Sequence, residues 1–178
     1  MLVSKKIIDA IIGQIGMEFE ASLQYDVIGA YFDSQSLPHL SRHFYNQSNE
    51  ERGHAHRFMK FVLDAGGVVT IPSVNAPTAD FKAAKDAVKL SLDQEVKVTQ
   101  AITGIYDLAL KENDHITSIF LQWFIKEQVE EVSSMGDLLM TVERAGESGL
   151  LQVEQFLAQS KLGSSLVIPA EPGGGDAH

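Results

Sequence analysis

Cysteine is absent from this chain, which excludes disulfides, thiolate metal sites and iron–sulfur ligation. Any metal it holds must sit on oxygen and imidazole. Positive charge is scarce: 14 Lys and Arg face 24 Asp and Glu, a net charge of −10. No basic cluster exceeds Lys5-Lys6, so a nucleic-acid partner, which needs a basic patch, is not expected. An acidic balance is permissive for cations without requiring them. There is also no apolar run of about 18 residues, so no membrane-spanning helix is expected. Lys5, Lys6 and the isoleucines that follow faintly suggest a signal peptide, but Asp9, Gln14 and Glu18 break the stretch. The chain reads as cytoplasmic.

What is present is long helical periodicity. At 178 residues the chain is long enough for one domain and short for two. A first helix is expected over about 5–33, with an inward seam at Ile8, Ile11, Ile15, Glu18, Ser22, Tyr25, Gly29 and Phe32. Pro38 suits the first turn of a second helix, with seam Leu40, Phe44, Gln47, Glu51, His54, Phe58, Phe61 and Ala65, stopped by Gly66-Gly67. The stretch 68–80 holds Pro72 and Pro77, lacks helical period and reads as an extended connection. A third helix is expected over about 81–111, with seam Ala84, Val88, Ser91, Glu95, Val98, Ile102, Ile105 and Ala109. Asp114 is a plausible N-cap for a fourth, with Leu121, Phe124, Gln128, Glu131, Met135, Leu138 and Val142 on one face to about 144. After Gly146 and Gly149, residues 150–160 read as a short fifth helix.

Connection lengths predict the topology. Short breaks after the first and third helices imply antiparallel neighbours. A helix of about 28 residues is roughly 42 Å long, and about 14 extended residues span that distance. The long connection therefore makes helices two and three parallel, giving an all-α four-helix bundle with one long crossover. Residues 1–160 form the expected domain, and 161–178, rich in Gly and Pro, a disordered tail.

Each seam is interrupted near its centre by polar residues: Glu18, then Glu51 and His54, then Glu95, then Gln128 and Glu131. A lone Glu on a helix is ordinarily a solvated charge. Four at one bundle level are different, because buried carboxylates are too costly unless a cation neutralises them. Glu51-x-x-His54 sets a carboxylate and an imidazole on one face, the spacing used by di-iron carboxylate proteins. Gln128-x-x-Glu131 repeats that spacing with an amide. Oxygen-rich ligation with few imidazoles suits iron or manganese better than structural zinc. Tyr25 is either a core aromatic or a hydrogen-bond and electron donor to the site. Glu50, Glu127 and Glu130 project from adjacent faces, as solvated charges or as a more open cation site. His39 and His43 read as surface or contact residues, His56 points to a different face from His54, and His115 reads as solvent-facing, with a pore lining as the alternative.

The segments MEFEASLQY (17–25), YFDSQSLPHLSRHFYNQSNEERGHA (31–55), LDQE (92–95) and QWFIKEQVEEV (122–132) resemble bacterial non-haem ferritins, particularly actinobacterial ferritins of the mycobacterial type. The resemblance implies a first iron site of Glu18, Glu51 and His54. It implies a second of bridging Glu51 with Glu95 and Glu131, Gln128 standing close by. Glu50, Glu127 and Glu130 match an outer, third iron site, and Tyr25 the family's tyrosine. It further implies a hollow shell of about 24 subunits, ferric mineral inside, Fe²⁺ with O₂ or H₂O₂ as substrates, and the fifth helix at the four-fold axes. The haem-ligating methionine of bacterioferritins would fall at Arg52, and their second Glu-x-x-His is Gln128-x-x-Glu131 here, so no haem is expected. A small-molecule di-iron oxygenase and a purely structural bundle tuned by protonation are the competing functions.

Overall fold

A computed structural model describes residues 2–159. The expected tail lies outside the described residues. Among the described residues five α-helices follow in order: α1 (Lys5–Ser34), α2 (Pro38–Asp64), α3 (Ala84–Lys111), α4 (His115–Ala145) and α5 (Leu150–Gln159), with one 3₁₀ turn at Glu147–Gly149. No helix among the described residues is long and apolar enough to cross a membrane.

Three helix ends share one chemistry. After α1, α2 and α3 the chain enters the left-handed region at Ser36 (φ 58°), Gly66 (φ 80°) and Asn113 (φ 57°). The next residue in each case, Leu37, Gly67 or Asp114, donates its N–H to a carbonyl five residues back (Phe32, Val62, Ala109). This satisfies carbonyls that the helix end would leave orphaned. Asp114 then caps α4 by accepting from Thr117 N at 3.1 Å.

Packing is organised as two apolar lobes. One joins the C-terminal half of α1 (Tyr25, Ile28, Phe32) to the N-terminal ends of α2 (Leu40, Phe44) and α3 (Ala87, Val88), the C-terminal half of α4 (Leu138, Val142) and α5 (Leu157). The other joins the start of α1 (Ile7, Ile11, Ile15) to the ends of α2 (Phe58, Val62) and α3 (Ile102, Ala109) and to Leu121 and Phe124 of α4. That pairing of halves fixes the polarity: α1 and α4 run one way, α2 and α3 the other. Helices two and three are parallel, as the long connection implies.

The crossover climbs along α1 in register. Gly67 lies beside Ile8, Pro72 against Gly16, Asn75 on Glu20, Thr78 on Gln24 and Phe81 on Tyr31. A Cβ at Gly16 would lie 2.5 Å from Pro72 Cγ, so the strap closes only over glycine. Gln24 and Thr78 exchange two bonds of 2.8 Å, fastening the strap at its upper end.

The third helix begins at Ala84, three residues later than its periodicity suggests. No local side chain caps it. Instead Glu147, following α4, accepts from Ala84 N at 2.9 Å, and Phe81 turns aside to meet Tyr31 edge-on. α5 is anchored similarly: the buried Glu154 carboxylate accepts from His39 N and Leu40 N, both at 2.8 Å. A carboxylate there meets the positive end of α2 and two of its orphan donors.

Candidate metal centre

The two lobes do not touch through the middle of the bundle. Between them lies a polar layer: Gln14, Glu18 and Ser22 from α1, Gln47, Ser48, Glu51 and His54 from α2, Ser91 and Glu95 from α3, and Gln128 from α4, all buried. Each stands on a seam that is otherwise apolar, or beside it. Helical spacing alone therefore carries these side chains inward, and the apolar lobes above and below keep water out.

Glu18, Glu51 and Glu95 are fully buried, at 0% exposure, and His54 is 7% exposed. One ligand atom each from Glu18, Glu51 and His54 lie within 4.8 Å of one another. His54 Nδ1 is 3.2 Å from Glu51 Oε2. The imidazole is held edge-on by Trp123 and Phe124, at ring separations of 5.6 and 5.7 Å, and Arg57 lies over the Trp123 ring at 4.1 Å. Glu95 receives the Tyr25 hydroxyl and the Gln128 amide, the latter at 3.1 Å. Gln128 Nε2 also reaches Thr99 Oγ1 at 3.1 Å, and Thr99 in turn donates to Glu95 O at 2.8 Å.

The charges confirm how crowded this layer is. Burial, then the neighbouring Glu51 charge, pushes the Glu18 carboxyl well above the usual range. Burial and Glu95 do the same to Glu51. Glu95 is raised by burial, against the hydrogen bonds from Tyr25 and Gln128 that favour its charged form. Glu131 is pushed up to about 8 by burial and then by Glu95 and Glu50. Tyr25 is raised by burial and by Glu95, so it stays a neutral donor. Burial and mutual repulsion at this density favour the protonated carboxyl over the charge when no cation is bound. Glu18 Oε2 and Glu51 Oε1 are buried with no N–H or hydroxyl donor, so only a proton shared between the two carboxyls or a cation can satisfy them. The donor set of carboxylates and one imidazole fits iron.

The second acidic set is more open. Glu50 is half-buried, takes the Gln47 amide at 2.5 Å, and is raised by burial, with Glu127 adding to that rise. Glu127 is half-buried and Glu130 exposed. Glu131 spans both sets, feeling Glu95 on one side and Glu50 and Glu127 on the other. Arg52 faces outward and pairs with Asp26 at 3.9 Å. Of the remaining histidines, His43 is a contact residue, buried edge-on against Phe44, while His56 is exposed and meets Phe19 edge-on.

Sequence reasoning did not assign Gln14, Gln47 or Thr99 to the site. Gln14 and Gln47 carried a signal, since each is an amide in an apolar stripe, four and three residues before a carboxylate it bonds. Thr99 carried none, because a threonine one turn after a glutamate has no distinctive spacing.

Comparison with known proteins agrees with this geometry. Residues 8–145 match the family model described as a ferritin-like domain. The chain is 42% identical over 163 residues to Ferritin BfrB of Mycolicibacterium smegmatis, covering 90% of each. It is 32% identical over 146 residues to the bacterial non-heme ferritin of Staphylococcus aureus, covering 82% of this chain and 88% of that one. The open pore ferritin of the archaeon Archaeoglobus fulgidus superposes with a TM-score of 0.85 at 32% identity, over 89% of this chain and 98% of that one. A bundle with one long crossover, a buried Glu and His layer at mid-height and these relatives together place the chain in the ferritin family.

Proposed function

We propose that this chain oxidises Fe²⁺ at the mid-bundle layer and stores the product as ferric oxyhydroxide inside a cage of about 24 copies in the cytoplasm. One observation carries the reading: fully buried carboxylates converge from three helices, joined by half-buried Glu131 from the fourth, and two of their oxygens meet no N–H or hydroxyl donor. Glu18, Glu51 and His54 hold one Fe²⁺, and Glu51, Glu95 and Glu131 the other, with Gln128 beside Glu95. Each Fe²⁺ gives up one electron. With O₂ as oxidant, two Fe²⁺ and two protons yield two Fe³⁺ and one H₂O₂. With H₂O₂ they yield two Fe³⁺ and two waters. Each Fe³⁺ then takes two waters to become FeOOH and releases three protons.

The chain's own part in this is electrostatic and positional. Protons held by the raised carboxyls leave as Fe²⁺ enters, so the site goes from neutral acid to anionic ligand set. Tyr25 keeps Glu95 oriented and stands ready to supply an electron. Glu50, Glu127 and Glu130 take a third cation with freer access to water. Haem plays no part, since the outward, ion-paired Arg52 offers no axial ligand. Anaerobic Fe²⁺ titration of the assembly, followed by air, tests the reading. Two tightly bound Fe²⁺ per subunit that oxidise at once, with mineral retained in a large particle, support it. Absence of stoichiometric Fe²⁺ binding sinks it.

A further inference from the structure

One buried side chain beside the carboxylates is explained neither by packing nor by ligation. Gln14 is 1% exposed on α1, one turn before Glu18, among Ile11 and Ile15. Leucine or isoleucine would fill that space without polar cost, since a buried amide is tolerated only when hydrogen-bonded. Gln14 meets half of that demand. Its Nε2 donates to Glu18 Oε1 at 2.8 Å, while its own Oε1 is buried with no hydrogen-bond partner. Glu18 is the complement: Oε1 is taken by the amide, and Oε2 is buried with no N–H or hydroxyl donor, beside the Glu51 carboxyl. A cation-bound Glu18 is ionised and accepts only, so the N–H side of the amide is the side that can face it.

We propose that Gln14 is a positioning residue, whose amide N–H holds Glu18 by one oxygen and so presents the other to a divalent cation shared with Glu51 and His54. The proposal rests on the reading of these three as ligands. The terminal torsion of a glutamate is broad, and a lone Glu18 would be free to turn its carboxyl among several directions. A donor on the same helix, one turn away, fixes that torsion before any cation arrives. Partners of this kind typically change metal affinity about 10–100-fold without touching the ion.

Co²⁺, which binds oxygen and imidazole sites and resists oxidation by air there, is the probe. The intact assembly is titrated, with ligand-field absorption counting cations per subunit. Glu18→Ala examines the underlying reading: it should lose one cation per subunit, and wild-type binding in that variant would refute the ligand assignment irrespective of Gln14. Gln14→Met and Gln14→Leu keep apolar volume and remove the donor. Both should bind the cation at Glu18 about 10–100-fold more weakly and leave the second cation unchanged. A glutamine that only filled space would leave both affinities as they are, and that result beside a damaged Glu18→Ala overturns the proposal. The wild-type protein supplies a reading that needs no variant: a Co²⁺-soaked crystal should keep Gln14 Nε2 within about 3.2 Å of Glu18. An amide turned away from a metal-bound Glu18 would equally refute it.

Discussion

Filling the site should expel protons, and Glu131 sets part of the count. Burial, reinforced by Glu95 and Glu50, lifts this carboxyl from 4.5 to about 8 in the cation-free protein. The sign follows directly. A cation must displace the proton, so apparent affinity rises with pH up to about 8 and levels above it. At about pH 6.5 a group titrating near 8 is roughly 97% protonated, and nearly one proton leaves for each cation that Glu131 accepts. From about pH 6 to about pH 7, Glu131 alone contributes about a tenfold gain in affinity, or about 1.4 kcal/mol. Glu18 and Glu51, also pushed up by burial, steepen the slope. The perturbation is Glu131→Gln, which keeps the shape and removes the titrating proton. Co²⁺ calorimetry in buffers of different ionisation enthalpy counts the protons. The variant should release about one fewer per subunit and lose about one tenfold step of the pH slope. Equal proton release by variant and wild type, or an affinity flat between about pH 6 and 8, would refute the argument.

Other outcomes follow from the same structure. On the proposed assignment Glu51→Ala or His54→Ala removes a ligand outright, so fast Fe²⁺ oxidation in stopped flow should fall by well over about 10-fold. The triple change of Glu50, Glu127 and Glu130 to Ala should keep that first phase and alter oxidant stoichiometry or the later transfer of Fe³⁺. Carboxyls raised in the folded state stabilise it below the ordinary carboxylate range, and lose that contribution as pH climbs, for Glu131 between 4.5 and about 8. Cation-free assemblies should therefore melt lower at about pH 8.5 than at about pH 6, and added Co²⁺ should erase the difference. Gly16→Ala drives a Cβ into Pro72 at 2.5 Å and should cost about 1–3 kcal/mol in denaturant unfolding. Glu154→Ala uncaps α2 and should cost about 0.5–2 kcal/mol, with α5 becoming the first segment to exchange amide hydrogens.

The seams show how much a heptad-like pattern can carry. Every residue on the α1 seam from Ile8 to Phe32 and on the α3 seam from Ala84 to Ala109 is buried. The seams of α2 and α4 yield only at Phe61 and Glu131, which are half-buried. Because a side chain's direction on a helix is fixed by its position modulo 3.6 residues, the polar interruptions Glu18, Glu51, His54, Glu95 and Gln128 had to face inward wherever the helices packed. The reach of the 68–80 segment likewise fixed the parallel pairing of α2 and α3. Cysteine's absence settled the class of ligand before any fold existed.

Other features depend on distances that no local pattern encodes. Glu147 and Glu154 lie 63 and 114–115 residues from the N–H groups they cap, so the start of α3 and the seat of α5 were decided by another helix's end. Gln14 and Thr99 matter only through what their partners face, Glu18 with one oxygen left for the layer and Gln128 shared with Glu95, which is a property of the assembled layer. Glu131 stands between two acidic sets for the same reason, since its rise to about 8 comes from burial in the closed bundle and then from charges on α3 and α2. Sequence determined which side chains turn inward and at what level, because helical geometry is local. Tertiary structure decided which oxygen of each is left unsatisfied, because hydrogen bonding and burial are settled only when four helices close on one another.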